Sequence, residues 1–357
     1  MKLTLPRLNL GLDRFSGIYL WILFIIIFGI WAPHTFLTMS TLHSVGSQEA
    51  IAGIVALAVL VPIASGHYDL SVGGTANLSG IVAILVQVQL HWSAPEAIAF
   101  SVLIGLLVGA VNAFVVIKLG VSSFIATLAM GSILSAFLVI VTGSQQPQPV
   151  VSNTWNDLTQ TVVGGFQVVV LFLLAVAVIL WWALDHTPAG RYIYATGGNP
   201  EAARLSGVRV NLWTAVTLIA SGGIAGLAGT LYTSLTGPSL SFGGTLLLPA
   251  FAAAFLGSTQ LKAGRFNVWG TLIAIYVLAT GVEGLQLVSG KQWLSDMFNG
   301  VALILAVSLA VSRQRRPTRV RRRRTGGAPD ADPNPVSDAD HIIGGDEAAL
   351  SKDGMTL

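Results

Sequence analysis

The chain has no cysteine, so disulfides, thiolate metal sites and cysteine nucleophiles are all excluded. Charge is scarce as well, with charged residues making up only 10% of the 357 residues. A soluble protein carries roughly a quarter. The six histidines are scattered at His34, His43, His67, His91, His186 and His341, and no pair has metal-ligand spacing. No G-x-x-x-x-G-K-[ST] phosphate loop occurs, nor any Ser/His/Asp or H-E-x-x-H arrangement. The sequence therefore points to no catalytic residue, metal or cofactor, and any use of ATP needs another subunit.

Apolar residues make up 53% of the chain and mean hydropathy is +0.74. Runs of about 20 apolar residues, each able to cross a hydrocarbon core of about 30 Å, recur along it. These features predict an all-α polytopic membrane protein of about ten spans: 16–35, 47–65, 70–90, 95–117, 123–143, 163–184, 212–235, 245–261, 267–288 and 293–311. The first span follows a basic start (Lys2, Arg7, Arg14), has no small-x-small cleavage site and is read as uncleaved. In the third, SVGGTANLSG (71–80) is small and polar, which suggests a broken or re-entrant helix sheltered by protein.

Charge placement supports an even span count. Alternating the loops puts Lys2, Arg7, Arg14, Lys118, Arg191, Arg204, Arg209, Lys262 and Arg265 on one side, and only Lys291 on the other. The positive-inside rule places that side, and both termini, in the cytoplasm. The predicted organisation is a cytoplasmic segment 1–15, a transmembrane domain 16–311 and a disordered cytoplasmic tail 312–357. The tail opens with eight arginines between Arg313 and Arg324. A basic run beside a span suits anionic lipid headgroups, and this position explains the net charge of +3 better than nucleic acid does.

The longest cytoplasmic loop contains GGNPEAARLSGVRV (197–210). Asn199 is a good N-cap, Pro200 suits the first helical position and Glu201 the positive helix end. Gly207 can close the helix in a left-handed conformation. A helix of about two turns cannot hold itself in water. It either rests on headgroups or docks into a partner's groove, with Ala202, Ala203 and Leu205 permitting close approach.

The stretch TPAGRYIYATGGNPEAARLSGVRV (187–210) resembles the cytoplasmic loop of ribose-type ABC importer permeases, whose EAA-x-x-x-G pattern forms the coupling helix. Four further segments resemble that family in order: SGHYDLSVGG (65–74), SSFIATLAM (122–130), AFLGSTQLKAGRFNVWGT (254–271) and the closing 293–307. Together they cover about residues 15–311. His67–Tyr68, Ser122–Ser123, Ser258 and Lys262 depart from the family's usual residues, which leaves the substrate open.

The resemblance implies a sugar importer's permease partnered by a separate ABC ATPase, an extracytoplasmic solute-binding protein and a second permease subunit. It implies an ATPase-coupling role for Asn199, Pro200, Glu201, Ala202, Ala203, Arg204, Leu205 and Gly207, and singles out Gly66, Asp69, Leu70, Ser71 and Gly73. Asp69 is expected to cap a helix starting at Leu70, through the N–H groups of Ser71 and Val72. A sugar path needs polar and aromatic side chains inside an apolar bundle, for which Asn77, Asn112, Phe124, Thr127 and Gln145 are candidates. Each could equally bond a neighbouring helix. The glycine pairs Gly105/Gly109, Gly222/Gly226 and Gly226/Gly229 fit helix packing or a dimer seam. The alternatives are an ion-coupled secondary transporter, with Asp69 and Glu283 as the deep acids, and a non-transporting scaffold.

Overall fold

The computed structural model describes residues 12–150, 152–262, 264–291 and 293–314. The predicted tail lies outside them, as does nearly all of the predicted N-terminal segment. Fourteen helices are present among the described residues: α1 Leu12–Trp31, α2 Pro33–Phe36, α3 Met39–Ala64, α4 Val72–Leu90, α5 Ala94–Lys118, α6 Ser123–Thr142, α7 Asn153–Gln160, α8 Val169–His186, α9 Pro188–Gly198, α10 Pro200–Leu205, α11 Val210–Thr236, α12 Phe242–Ser258, α13 Val268–Ser289 and α14 Trp293–Gln314. Ten of them occupy the places of the ten predicted spans. Eight are long and apolar enough to cross a membrane, while the apolar parts of α1 and α12 are shorter.

Two expectations need correction. SVGGTANLSG is not broken, since α4 runs unbroken from Val72 to Leu90. Its small and polar residues are buried among other helices instead of facing lipid: Thr75 and Ser79 are fully buried, and Gly73 and Gly80 lie against Gly243 and Gly229. The sixth span starts later than expected, because residues 162–167 form a hairpin. Val162–Val163 (β1) pairs antiparallel with Phe166–Gln167 (β2) around Gly164–Gly165, both at positive φ. Two glycines with that backbone make the favoured two-residue hairpin turn, so VVGGFQ carried a turn signal inside an apolar run.

α3 forms the centre of the core, with every residue from Ala50 to Ala64 buried. Around it pack α4, α8, α11, α12 and α13. α5 and α11 approach closely because glycine removes the side chains between them: a Cβ on Gly105 or Gly222 would collide with the other's backbone, and one on Gly109 with Leu218. Gly226 lies in the same way on Ser101, and Gly229 on Ala76 of α4. These glycines are thus consumed in helix packing within the chain. Outer faces of α5, α6, α8 and α14 present Leu107, Phe114, Phe137, Ile140, Ile179 and Ile304 outward, as lipid or a partner helix requires.

Candidate functional site

The motif segments, far apart in sequence, meet at one end of the bundle. There α3 gives way to α4 through residues 65–71. Pro62 has no N–H to continue the helix, and Gly66 turns the chain at φ +83°. The exposed backbone donors of this break are taken up by α6: the N–H of Tyr68 donates to Ser123 Oγ (3.0 Å) and that of Leu70 to Thr127 Oγ1 (2.9 Å). Ser65 Oγ meets Thr217 Oγ1 of α11 at 2.9 Å.

Asp69 is fully buried. Its Oδ1 accepts from the Ser71 N–H (3.0 Å) and the Ser71 hydroxyl (2.6 Å), and Ser71 Oγ in turn accepts from Asn112 Nδ2 (2.8 Å). The expected cap of a helix starting at Leu70 is not formed: α4 starts at Val72 with Ser71 at its N-cap position, and Asp69 bonds only Ser71. No lysine or arginine pairs with Asp69 among the described residues. Ser221 lies on its other side, yet Asp69 Oδ2, Ser221 Oγ and Asn112 Oδ1 complete no hydrogen bond of good geometry. Burial pushes the carboxyl above its ordinary range, against the opposing effect of the Ser71 hydrogen bonds.

Against this break packs α9, a helix that the sequence pattern does not mark. Gly197 lies on the 64–66 backbone, and a Cβ on Gly66 would stand 3.3 Å from Gly197 Cα. α10 follows at once. The Asn199 side chain accepts from the Ala202 N–H (3.0 Å), Pro200 opens the helix, and Gly207 closes it at φ +82° with Val208 N–H donating to Ala203 O (3.0 Å). Ala203 faces its own chain. Glu201, Ala202, Arg204 and Leu205 face outward, and Leu205 is 88% exposed.

The third segment, 258–267, closes the cluster. The Asn267 amide nitrogen lies 3.1 Å from the carbonyls of Gly257, Gln260 and Arg265, and its Oδ1 accepts from the Gly270 N–H at 2.7 Å. One side chain thus braces the whole turn and caps α13. Asp185 at the end of α8 pairs with Lys262 (2.7 Å) and Arg265 (3.4 Å), and the Arg265 guanidinium lies 3.7 Å from the Tyr194 ring centre. The Tyr194 hydroxyl donates to Phe266 O at 2.6 Å. Sequence reading missed this cluster, because nothing local marks residues 77 positions apart as partners.

The candidate path residues do not gather at one place. Asn77 bonds the α11–α12 connection, donating to Leu240 O (2.8 Å) and accepting from the Gly243 N–H (2.9 Å). Asn112 and Thr127 serve the 65–71 break, whereas Phe124 and Gln145 are exposed. Glu49 in α3, not singled out from the sequence, lies near Glu283 of α13 at the opposite end of the bundle from Asp69.

A helical bundle with buried polar breaks, a basic end and an outward-facing helical knob defines a polytopic membrane permease. Residues 42–307 match the family described as branched-chain amino acid transport system / permease component, and the chain belongs to the ribose-type ABC importer permeases within it. It is 32% identical to the ribose import permease protein RbsC of Escherichia coli K12, over 76% of this chain and 86% of that one. The D-allose transport system permease protein AlsC of the same strain is 28% identical over 83% and 91%. The autoinducer 2 import system permease protein LsrC of Salmonella choleraesuis is 29% identical over 75% and 77%. No solved structure matches the chain.

Proposed function

We propose that this permease carries a small, uncharged, polyhydroxylated solute into the cytoplasm, driven by ATP hydrolysis on a separate subunit. The relatives named for ribose and allose support that solute class. Ten spans with both termini in the cytoplasm fit the segregation of Lys118, Arg191, Arg204, Arg209, Lys262 and Arg265 to the motif-bearing end. The observation that carries the reading is α10, whose Glu201, Ala202, Arg204 and Leu205 stand clear of the bundle while Ala203 anchors it.

In this reading α10 seats in a cleft of the ATPase subunit, with Asn199, Pro200 and Gly207 shaping the helix and Glu201, Ala202, Arg204 and Leu205 touching the partner. ATP-driven closure moves α10 and favours one of two transport states, which requires different binding to the two. The break at Gly66, Asp69, Leu70, Ser71 and Gly73 is the joint next to it. A solute-binding protein docks on the outer stretch 144–165, which has no lysine or arginine and whose one charge is Asp157. Solute crosses near the seam with a second permease subunit, copy or paralogue, where the exposed Phe124 and Gln145 are lining candidates. Asn77, Asn112 and Thr127 bond the chain itself and can contribute only if those bonds open.

The test is capture of tagged protein from mildly solubilised native membranes, wild type beside a Glu201→Gln/Arg204→Gln variant. Co-purification of an ATPase with wild type and its loss with the variant supports the assignment. The Glu49–Glu283 pair favours one second reading, an ion-coupled transporter. Sugar uptake by the chain alone in liposomes, without ATP, would establish it.

A further inference from the structure

We infer that Arg265 is a positioning residue that ties α12 and α13 to the ATPase-coupling helix, so that the two move as one body; this rests on the importer reading above. Two covalent routes already lead from α10 into the bundle: back through α9 and α8, and forward into α11. Packing adds the Gly197–Gly66 approach to the α3–α4 break and the Tyr192–Trp213 ring contact to α11, with centroids 5.4 Å apart. The break also touches α12, through Tyr68 on Phe255 (6.5 Å), and this link to the α12–α13 pair is apolar ring packing. The charged connection to that pair is made by the 258–267 turn, through Arg265 and Lys262 on Asp185.

The arrangement of Arg265 is that of a joint, not of a surface ion pair. Its guanidinium is held between the Asp185 carboxylate at 3.4 Å and the Tyr194 ring at 3.7 Å, so it touches α8 and α9 together. It also reaches Leu184 O at 3.5 Å. The Asp185 side chain is only 11% exposed, and Lys262 holds its other oxygen at 2.7 Å. The Arg265 and Lys262 side chains are 41% and 47% exposed, so water reaches the cations, and the nearly buried Asp185 they share is what distinguishes them from a free surface pair. A planar guanidinium stacks on a ring while its fixed fork of donors faces a carboxylate, a geometry that an ammonium does not pre-set.

Rigidity on both sides makes the joint able to transmit a displacement. On one side the Tyr194 hydroxyl is bonded to Phe266 O, and α9 runs directly into the Asn199 cap of α10. On the other, Asn267 braces the turn and caps α13, Phe266 packs on Phe255 of α12 (5.6 Å), and Trp269 of α13 packs on Trp181 of α8 (6.1 Å). A push on α10 therefore reaches α13 through stiff contacts, and Arg265 is the one side chain of the turn that touches both Asp185 of α8 and Tyr194 of α9, beside the Lys262–Asp185 pair, the Tyr194 hydroxyl and ring packing.

The absence of cysteine allows a direct test in the whole assembly. A single Ser289→Cys reporter, exposed at the far end of α13, is labelled with a thiol reagent in native membranes, with and without trapped ATP. Arg265→Ala, Arg265→Lys and Asp185→Asn are compared with the parent, and ATPase co-purification and thermal stability are measured on each. The expected result is a nucleotide-dependent change in labelling rate of about fivefold or more in the parent, the low end of site-to-site coupling. It disappears in Arg265→Ala and Asp185→Asn while the ATPase still co-purifies, and is partly kept in Arg265→Lys. An unchanged nucleotide response in assembled Arg265→Ala overturns the inference and leaves the importer reading standing. If Arg265→Ala fails to assemble, the other two variants decide by the same criterion. No ATPase with the parent protein overturns both.

Discussion

Gly66 and Gly197 meet backbone to backbone, where the α3–α4 break touches the helix that leads into α10. Gly66 also holds φ at +83°, a conformation that disfavours any side chain. Gly66→Ala should lower stability by about 1–2 kcal/mol from backbone strain alone. Gly197→Val, whose Cβ meets the Ala64 carbonyl, should cost more and displace α10. Thermal unfolding in detergent together with ATPase capture checks both; a Gly197→Val protein of parental stability and capture would refute the contact's importance.

The α5–α11 seam offers a second prediction. Gly105→Leu and Gly222→Leu force apart backbones that now touch, and overpacking of this kind should cost at least about 3 kcal/mol. Gly244→Ala is the control, with nothing within 4 Å of an added Cβ and a helical backbone. Its stability should stay within about 1 kcal/mol of the parent. Chemical unfolding monitored by tryptophan fluorescence separates the cases.

Asp69 predicts a pH dependence. Its folded pKa lies above the unfolded value, so between the two the native state holds a proton that the unfolded chain releases. Stability contributed at this site therefore falls as pH rises through that window. Asp69→Asn keeps an oxygen acceptor for Ser71 and removes the titration, so it should flatten the slope and be at least as stable at neutral pH. Asp69→Ala leaves the Ser71 donors unpaired and should cost about 1–3 kcal/mol at any pH. Melting curves across the acid-to-neutral range distinguish the two variants.

α10 should separate stability from function. The Glu201–Arg204 pair is long at 3.6 Å, with side chains 78% and 60% exposed, so its loss should change stability by less than about 1 kcal/mol. Leu205→Asp should be equally harmless to the fold. Both should abolish ATPase capture. Retained capture with Leu205→Asp would place the partner elsewhere.

Much of this was legible in the chain itself. A bilayer demands apolar segments of a set length whose backbone satisfies its own hydrogen bonds, so helix positions are written locally, and all ten predicted spans coincide with helices. Asn199, Pro200 and Gly207 are legible for the same reason, since a cap, a first-turn proline and a left-handed closer act within a few residues. VVGGFQ was legible too but hidden inside an apolar run, and α9 was missed because its amphipathic pattern is short.

What the sequence by itself determined is the places of the long apolar helices and of α10, the end that gathers the basic loops and the motifs that place the chain in its family. Only the tertiary structure decided that Val72 to Gly80 is continuous helix, because Gly73 and Gly80 pack on α12 and α11 and Asn77 bonds Leu240 O and the Gly243 N–H. Only it decided that Gly105 and Gly222 serve each other and that Arg265 joins Asp185 to Tyr194. Hydropathy and capping are properties of a few consecutive residues, whereas these pairings arise from which helices approach and how closely, set by steric fit across the bundle.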